Sequence, residues 1–469
     1  MLDYARIEQF SRIVGEKNSI YKQEDIAKYC EEPRGLFSGR ARLVLRPKTT
    51  EEVSQIMRLA SQTKTAIVPQ AGNTGLVGGQ QPDRSGDQVI VSFERMNEIL
   101  QIDSIGNYVI VESGVVLGDL QKAVEGVNRL FPLSLASQSA CQIGGNLSSN
   151  AGGVAVLAYG NIRDLCLGLE VVLPDGSVLN DMRFVKKDNS GYDLKNLFIG
   201  AEGTLGLITK AVLKIFPRAK EKSVSLVALK NFKHVLSFFQ KAQEQFGFCL
   251  VAFELMDKNA FKAALLHNNE KQIFSQEYPY YVLIEISDIG GYNSKHALEN
   301  FLTFSFEEGI LANAILAQSL KEYEKFWHLR ENMSHAQKAF GAAIKNDISV
   351  PIAKMENFLQ QSEKLIHEIL PSAHIFCFGH VGDGNLHYNI SQGTKITKEA
   401  FLERKAIIFE KLYELVMLCG GAFSAEHGIG QLKKSELHLY KDPTAYKLMK
   451  MLKKQLDPCN IMNPGKLFD

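Results

Sequence analysis

The chain has 469 residues, 45% of them hydrophobic and 22% charged, and a net charge of +1. That length exceeds what one hydrophobic core organises, so two or three domains are expected, and the composition is ordinary for a globular protein. The near-neutral charge gives no footprint for nucleic acid, no stretch approaches the ~20 apolar residues of a membrane span, and Met1 to Arg6 starts no signal peptide. Seven scattered cysteines with no Cys-x-x-Cys pair fit reduced thiols. A cytoplasmic protein is expected, at most loosely associated with a membrane.

Residues 1 to about 40 read as short polar helices and turns. Ala41 to Pro47 reads as a strand ended by proline. Thr50 then caps a helix with apolar positions at Val53, Ile56, Met57 and Ala60. Alternating strands and helices continue to about Pro217. Three segments here are rich in glycine: Pro69 to Gly79, Ile143 to Gly153, and Gly200 to Thr209. Successive backbone N–H groups in such turns form nests that cradle phosphate. One such loop is ordinarily just a tight turn; three close together point to a cofactor. No Gly-x-Gly-x-x-Gly follows a strand and no Gly-x4-Gly-Lys-Ser/Thr occurs, so neither a Rossmann site nor a P-loop is supported.

From residue 219 the chain is richer in lysine and longer helices, with strands near Val224 to Leu229, Val251 to Met256 and Tyr281 to Ser287. This reads as a second α+β domain. Near its end lies Phe378-Gly-His380-Val-Gly-Asp-Gly-Asn-Leu-His387-Tyr-Asn389. Apolar, β-prone runs flank Asp383-Gly384, a strong signal for a two-residue type I′ turn. Centred on that pair, the register makes His380 and His387 a directly opposed pair with Cβ atoms about 5 Å apart. Two imidazoles so placed could share a metal ion. A single strand histidine is usually a packing residue; an opposed pair flanked by glycines favours a metal site. Asn389 falls on the same face, and Cys377 on the opposite one. A helix from about Lys398 to Leu418 leads to Ala425-Glu426-His427-Gly428, then a polar C-terminal helix and Asn463-Pro464-Gly465-Lys466.

The three glycine segments resemble the FAD-binding domain of the vanillyl-alcohol-oxidase and p-cresol-methylhydroxylase superfamily. His380 to His387, Glu426-His427-Gly428 and Asn463 to Lys466 are similar to FAD-linked D-2-hydroxyacid dehydrogenases, which include D-lactate, glycolate and D-2-hydroxyglutarate dehydrogenases. The likeness runs from about residue 40 to the C-terminus. It implies an α+β protein. A two-subdomain PCMH-type FAD-binding domain (41–218) follows the N-terminal helical segment (1–40). A substrate or cap domain with an antiparallel sheet comes next (219–420), then a C-terminal segment (421–469) that returns to the FAD domain and contributes to the active site.

By the same resemblance FAD would be held by Gln70, Ala71, Gly72, Asn73, Thr74, Gly75, Ser137, Gly144, Gly145, Ser149, Asn150, Gly152, Gly153, Glu202, Gly206, Ile208 and Asn463. The first loop has no histidine, so the flavin is expected to be non-covalent. His380, His387 and Glu426 match the family's divalent-metal ligands; Zn²⁺ is expected first, and Mn²⁺, Co²⁺ or Fe²⁺ also suit such donors. His427 matches the catalytic base. Oxidising a 2-hydroxy acid needs the hydroxyl proton removed as hydride leaves C2, and a histidine near its neutral pKa suits that task.

Arg330, Ser334, Lys345 and Asn389 match substrate contacts of the D-2-hydroxyglutarate branch. From the residues alone, Arg330 and Ser334 share a helical face at i, i+4, and an unrelated surface pair is an equal reading. Two cations and a hydroxyl fit a dicarboxylate better than lactate. The expected reaction is oxidation of a D-2-hydroxy acid, D-2-hydroxyglutarate foremost, by hydride transfer to flavin N5. The electron acceptor would be an electron-transfer flavoprotein or a quinone, and a homodimer is left open. A D-lactate or glycolate dehydrogenase is the alternative within redox chemistry, and a flavin-free metal-dependent hydrolase the alternative outside it.

Overall fold

The computed structural model describes residues 2–32, 34–288, 293–393 and 396–468. The chain divides into two compact units. One comprises Met1–Gly153, Gly160–Pro217 and Glu426–Asp469, and the other Val154–Tyr159 and Arg218–Ala425. Among the described residues no helix is long and apolar enough to cross a membrane.

The first unit holds two main sheets. The four-stranded sheet runs in the order Ser19–Ile20, Leu43–Leu45, Val89–Ser92, Ile67–Gln70, with its last three strands parallel. Leu43, Val44 and Leu45 are all buried, as expected for a parallel strand covered on both faces. The helix Thr50–Thr63 connects two of these strands and buries Val53, Ile56, Met57 and Ala60. Each of the larger of these side chains contributes roughly 1.5–3 kcal/mol by leaving water. Its cap is Thr49, not Thr50: the Thr49 hydroxyl accepts the Glu52 N–H at 3.2 Å. Thr50 lies one residue inside, and its hydroxyl donates to Glu170. Phe10 of the helix Tyr4–Val14 and Ile461 and Met462 near the C-terminus complete the same core. Met462 bridges to Ile67 in parallel.

The second main sheet is five-stranded and antiparallel, in the order Ile99–Asp103, Tyr108–Glu112, Leu207–Lys214, Cys166–Val172, Val178–Asp181. Between the strands Tyr108–Glu112 and Cys166–Val172 of this sheet, the second glycine segment departs from expectation. Ile143–Ser149 is a short α-helix, ended by Asn150 in the left-handed conformation at φ 51°. Its glycines allow close packing: a Cβ on Gly144 would meet the side chain of Ser113.

The second unit is built on one antiparallel sheet. Its continuous path runs Asn313–Leu316, Glu221–Leu229, Tyr280–Asp288, Leu250–Asp257, His374–His380, Asn385–Ser391, Ala343–Ile344, and Asp347–Ser349 also pairs with Asn385–Ser391. Helices such as Lys258–His267 and Leu320–Glu331 pack on it through an aromatic core that includes Phe261, Phe274, Tyr281, Phe326 and Phe378. The helix expected over 398–418 is two, Lys398–Glu403 and Lys405–Leu418, separated at Arg404. All seven cysteines are free, and Cys377 is buried.

The hairpin carrying the two histidines has the expected strands but another register. Phe378 faces His387 and Phe376 faces Asn389. Val381–Asp383 forms a 3-10 turn, and of residues 381–384 only Gly384, at φ 87°, has positive φ. A type I′ turn needs two such residues, so the connection is four residues long. The slip of two residues keeps every side chain on its expected face. The two imidazoles are therefore diagonal neighbours, with ring centroids 5.9 Å apart.

Candidate functional site

In the first unit the glycine segments converge on a cleft lined by backbone and by small and polar side chains. Of the residues expected around a cofactor, Gln70, Ala71, Gly72, Asn73, Thr74, Gly75, Gly144, Gly145, Ser149, Glu202, Gly206 and Ile208 line it. Gly72 is there because a Cβ would run into the carbonyl oxygen of Ala140, so its smallness serves loop packing.

Five expected residues do not line the cleft. Ser137 closes a turn by accepting the N–H groups of Ala140 and Cys141. Asn150 caps its helix and accepts the Arg163 N–H. Gly152 and Gly153 lie beyond the wall, and Gly153 abuts the Ser134 carbonyl. Asn463 is buried, and its Nδ2 donates to the carbonyls of Gly79 (2.9 Å) and Glu202 (2.8 Å), joining the first and third glycine segments. Sequence reasoning missed Ser113, Gln142 and Asn146, which line the cleft. The buried oxygens Ser113 Oγ and Gln142 Oε1 have no hydrogen-bond partner among the described residues. A polar residue two positions before a glycine pair, as Gln142 is to Gly144-Gly145, was the available signal.

His427 also lines this cleft. The loop it sits on is fixed by Glu202, whose Oε1 accepts the Ile429 N–H and Oε2 the Gly430 N–H, each at 2.7 Å. Burial pushes the Glu202 carboxyl up, opposed by those two donors. Gly428, at φ 80°, brings the backbone against the carboxylate where a Cβ would collide with it. Gln431 donates to the Gly78 carbonyl at 2.8 Å, tying the same loop to the first glycine segment. Glu202, expected as a cofactor contact, thus spends both oxygens on the His427 loop.

In the second unit the strand ladder sets Glu254 across from His380, and Asp347 across from His387. His380 Nδ1 lies 2.7 Å from Glu254 Oε1, and Arg330 Nε donates to Glu254 Oε2 at 2.9 Å. Burial penalises the Glu254 charge, but His380 and Arg330 overcome it and hold the carboxyl at about 2. Arg330 also stacks over Phe378 at 5.1 Å, and Phe378 in turn contacts the His387 ring at 5.1 Å. Asn385 Nδ2 donates to Asp347 Oδ1 at 2.9 Å. Ala425 N–H donates to the Asp347 carbonyl at 3.3 Å, so the segment leading to Glu426 is stitched to the Asp347 strand.

The remaining substrate candidates are only partly brought together. Lys345 Nζ donates to Ser334 Oγ at 2.8 Å. Arg330 and Ser334 do not share one helix: the helix ends at Glu331, and Asn332 separates it from the turn Met333–Ala336. The Asn332 side chain is drawn to Asn268 and to the His328 ring. Asn389 is buried, accepting the Asn346 N–H at 3.1 Å and donating to Gln337 Oε1 at 3.0 Å.

Residues 41–181 match the FAD binding domain family, and residues 218–467 match the family described as FAD linked oxidases, C-terminal domain. D-2-hydroxyglutarate dehydrogenase of Arabidopsis thaliana is 35% identical over 468 residues, all of this chain and 82% of that protein. The chain belongs to the FAD-linked D-2-hydroxyacid dehydrogenases. The Stutzerimonas stutzeri D-2-hydroxyglutarate dehydrogenase is 32% identical over the full length of both chains, and the Bos taurus one 38% identical over 92% of this chain and 77% of its own. Among solved structures, p-cresol methylhydroxylase shares the fold at a TM-score of 0.76 and 16% identity, covering 99% of this chain and 96% of that one.

This FAD-linked dehydrogenase is an oxidoreductase acting on the CH–OH group of a 2-hydroxy acid. Its cleft fits the cofactor: the unpartnered Ser113 and Gln142 oxygens in its wall offer polar contacts for a flavin.

Proposed function

We propose that the enzyme oxidises D-2-hydroxyglutarate to its 2-oxo acid, with His427 as the base. The observation that carries this reading is His427 in the wall of the flavin cleft, on a loop pinned by Glu202. His427 takes the hydroxyl proton while hydride leaves C2. The non-covalent flavin supplies the two-electron acceptor. His380, His387 and Glu426 would hold one divalent ion, Zn²⁺ foremost, which would polarise the substrate hydroxyl. The donor set suits such an ion: two imidazoles 5.9 Å apart, one with a carboxylate on Nδ1, and a further carboxylate on the segment that follows Ala425. The electrons pass on to an electron-transfer flavoprotein or a quinone.

Substrate choice rests on the second unit and on the relatives, which carry the D-2-hydroxyglutarate name. Lys345 and Ser334, side by side, would meet the distal carboxylate, with Arg330 and Asn389 completing the substrate contacts. A charge-assisted hydrogen bond is worth roughly 1.5–3 kcal/mol, or about 10- to 150-fold in kcat/KM. Lys345→Met should lose that factor on D-2-hydroxyglutarate and far less on D-lactate, measured by dye-linked turnover. Equal losses on both substrates, or a wild-type preference for D-lactate, would move the enzyme to the lactate branch.

A further inference from the structure

Glu254 is a fully buried acid amid the apolar run Leu250 to Met256 of its strand. Such a charge persists inside a sheet only when its oxygens are used. Here they are divided. Oε1 meets His380 Nδ1 at 2.7 Å, and Oε2 meets Arg330 Nε at 2.9 Å and Nη2 at 2.8 Å. The contact is built into the sheet, because Glu254 and His380 are Cα partners across the ladder. His387 repeats the arrangement more loosely. Asp347 is its ladder partner on the opposite side, with Oδ1 3.8 Å from His387 Nδ1 and fixed by Asn385. Each histidine thus has a buried acid beside the same ring atom.

We propose that Glu254 is a positioning residue for the metal centre: it holds His380 as the Nδ1–H tautomer, so that Nε2 is the ligand atom. Arg330 then serves the metal as well as the substrate, because it neutralises and orients the acid that orients His380. An acid of this kind raises ligand basicity and fixes the ring, and its loss typically weakens metal binding 10- to 100-fold. The inference rests on the reading of His380 as a metal ligand, and the test separates the two.

The holoenzyme is stripped of metal by chelation, and Zn²⁺ is titrated back against a chromophoric chelator, with FAD content recorded in parallel. Glu254→Gln should bind Zn²⁺ 10- to 100-fold more weakly than wild type while keeping its flavin. His380→Ala should lose at least as much, and the double variant should be no worse than His380→Ala alone. Wild-type affinity in Glu254→Gln with affinity lost in His380→Ala overturns the positioning role and leaves the metal site standing, whereas wild-type affinity in both removes the metal site itself. Fully additive losses in the double variant also overturn the role, because Glu254 would then act elsewhere. Should Glu254→Gln fail to fold, the wild-type protein decides the matter. In metal-free protein labelled with ¹⁵N-histidine, the His380 signals, identified by their absence in His380→Ala, should show a proton on Nδ1. A proton on Nε2 instead overturns the proposal.

Discussion

Glu202 clamps the loop on which the proposed base His427 sits. Its two oxygens hold consecutive N–H groups just past His427, and its own carbonyl is held by Asn463. Removing the carboxylate would free two part-buried donors and loosen the loop that carries His427. His427→Asn should slow flavin reduction on the order of 10²–10⁴-fold, the usual worth of a positioned base. Glu202→Ala should slow the same step while the base is still present, and Glu202→Gln, which keeps one acceptor, should fall between. Stopped-flow reduction at saturating substrate, with rates normalised to FAD content, makes the comparison. A Glu202→Ala enzyme reduced at the wild-type rate would show that the clamp is dispensable.

Helix Thr50–Thr63 offers a clean test of a boundary that a sequence marks only to within a residue. Thr49 and Thr50 are both credible caps by residue type, but only Thr49 has extended backbone and accepts the Glu52 N–H. Thr49→Ala should destabilise the first unit by about 1 kcal/mol, read as a shift in the denaturation midpoint with the flavin bound. No shift would return the cap to Thr50. The same limit governs the histidine hairpin. Its strands, and the face shared by His380, His387 and Asn389, were legible because side chains alternate with period two. Its register was not, because Val381-Gly382-Asp383 closes a 3-10 turn in place of the two-residue turn that Asp-Gly advertises. The middle glycine segment differs for a related reason: Gly144-Gly145 reads as a loop, yet both fit a helical first turn, Gly144 packed on Ser113 and Gly145 on Ala71. Glu254 passed unremarked, although a lone acid inside a run of apolar strand residues is itself a sign of a buried partner.

Across the whole molecule, buried acids link the fold to pH. Asp257 caps the helix Lys258–His267 by accepting the Ala260 N–H at 2.6 Å, and it also accepts the Cys377 N–H at 2.8 Å from the neighbouring strand. Burial lifts its carboxyl from 3.8 to about 7, against the pull of those donors. Between these values the folded state keeps a proton that the unfolded chain has released. Stability therefore falls as pH rises from about 4 to about 7, by roughly 4 kcal/mol at most. Asp257→Asn keeps a capping oxygen and removes the titration, so its urea midpoint should vary less over that window than the wild type's. Parallel pH profiles for the two proteins would remove Asp257 from the account.

The first unit is also interrupted in sequence by nearly all of the second. Ile461 and Met462 fill its core, Met462 bridges to Ile67, and Asn463 joins two of its loops. A ribosome delivers these residues only after it has made the whole antiparallel sheet of the other unit. The nascent chain must therefore keep a half-closed, apolar-lined domain in solution while more than two hundred further residues are added. The clasp of Asn463 on Gly79 and Glu202 can close only once residue 463 has been made, so a chain halted before it should reach the cell without its yellow colour even though every residue of the cleft wall encoded upstream is present.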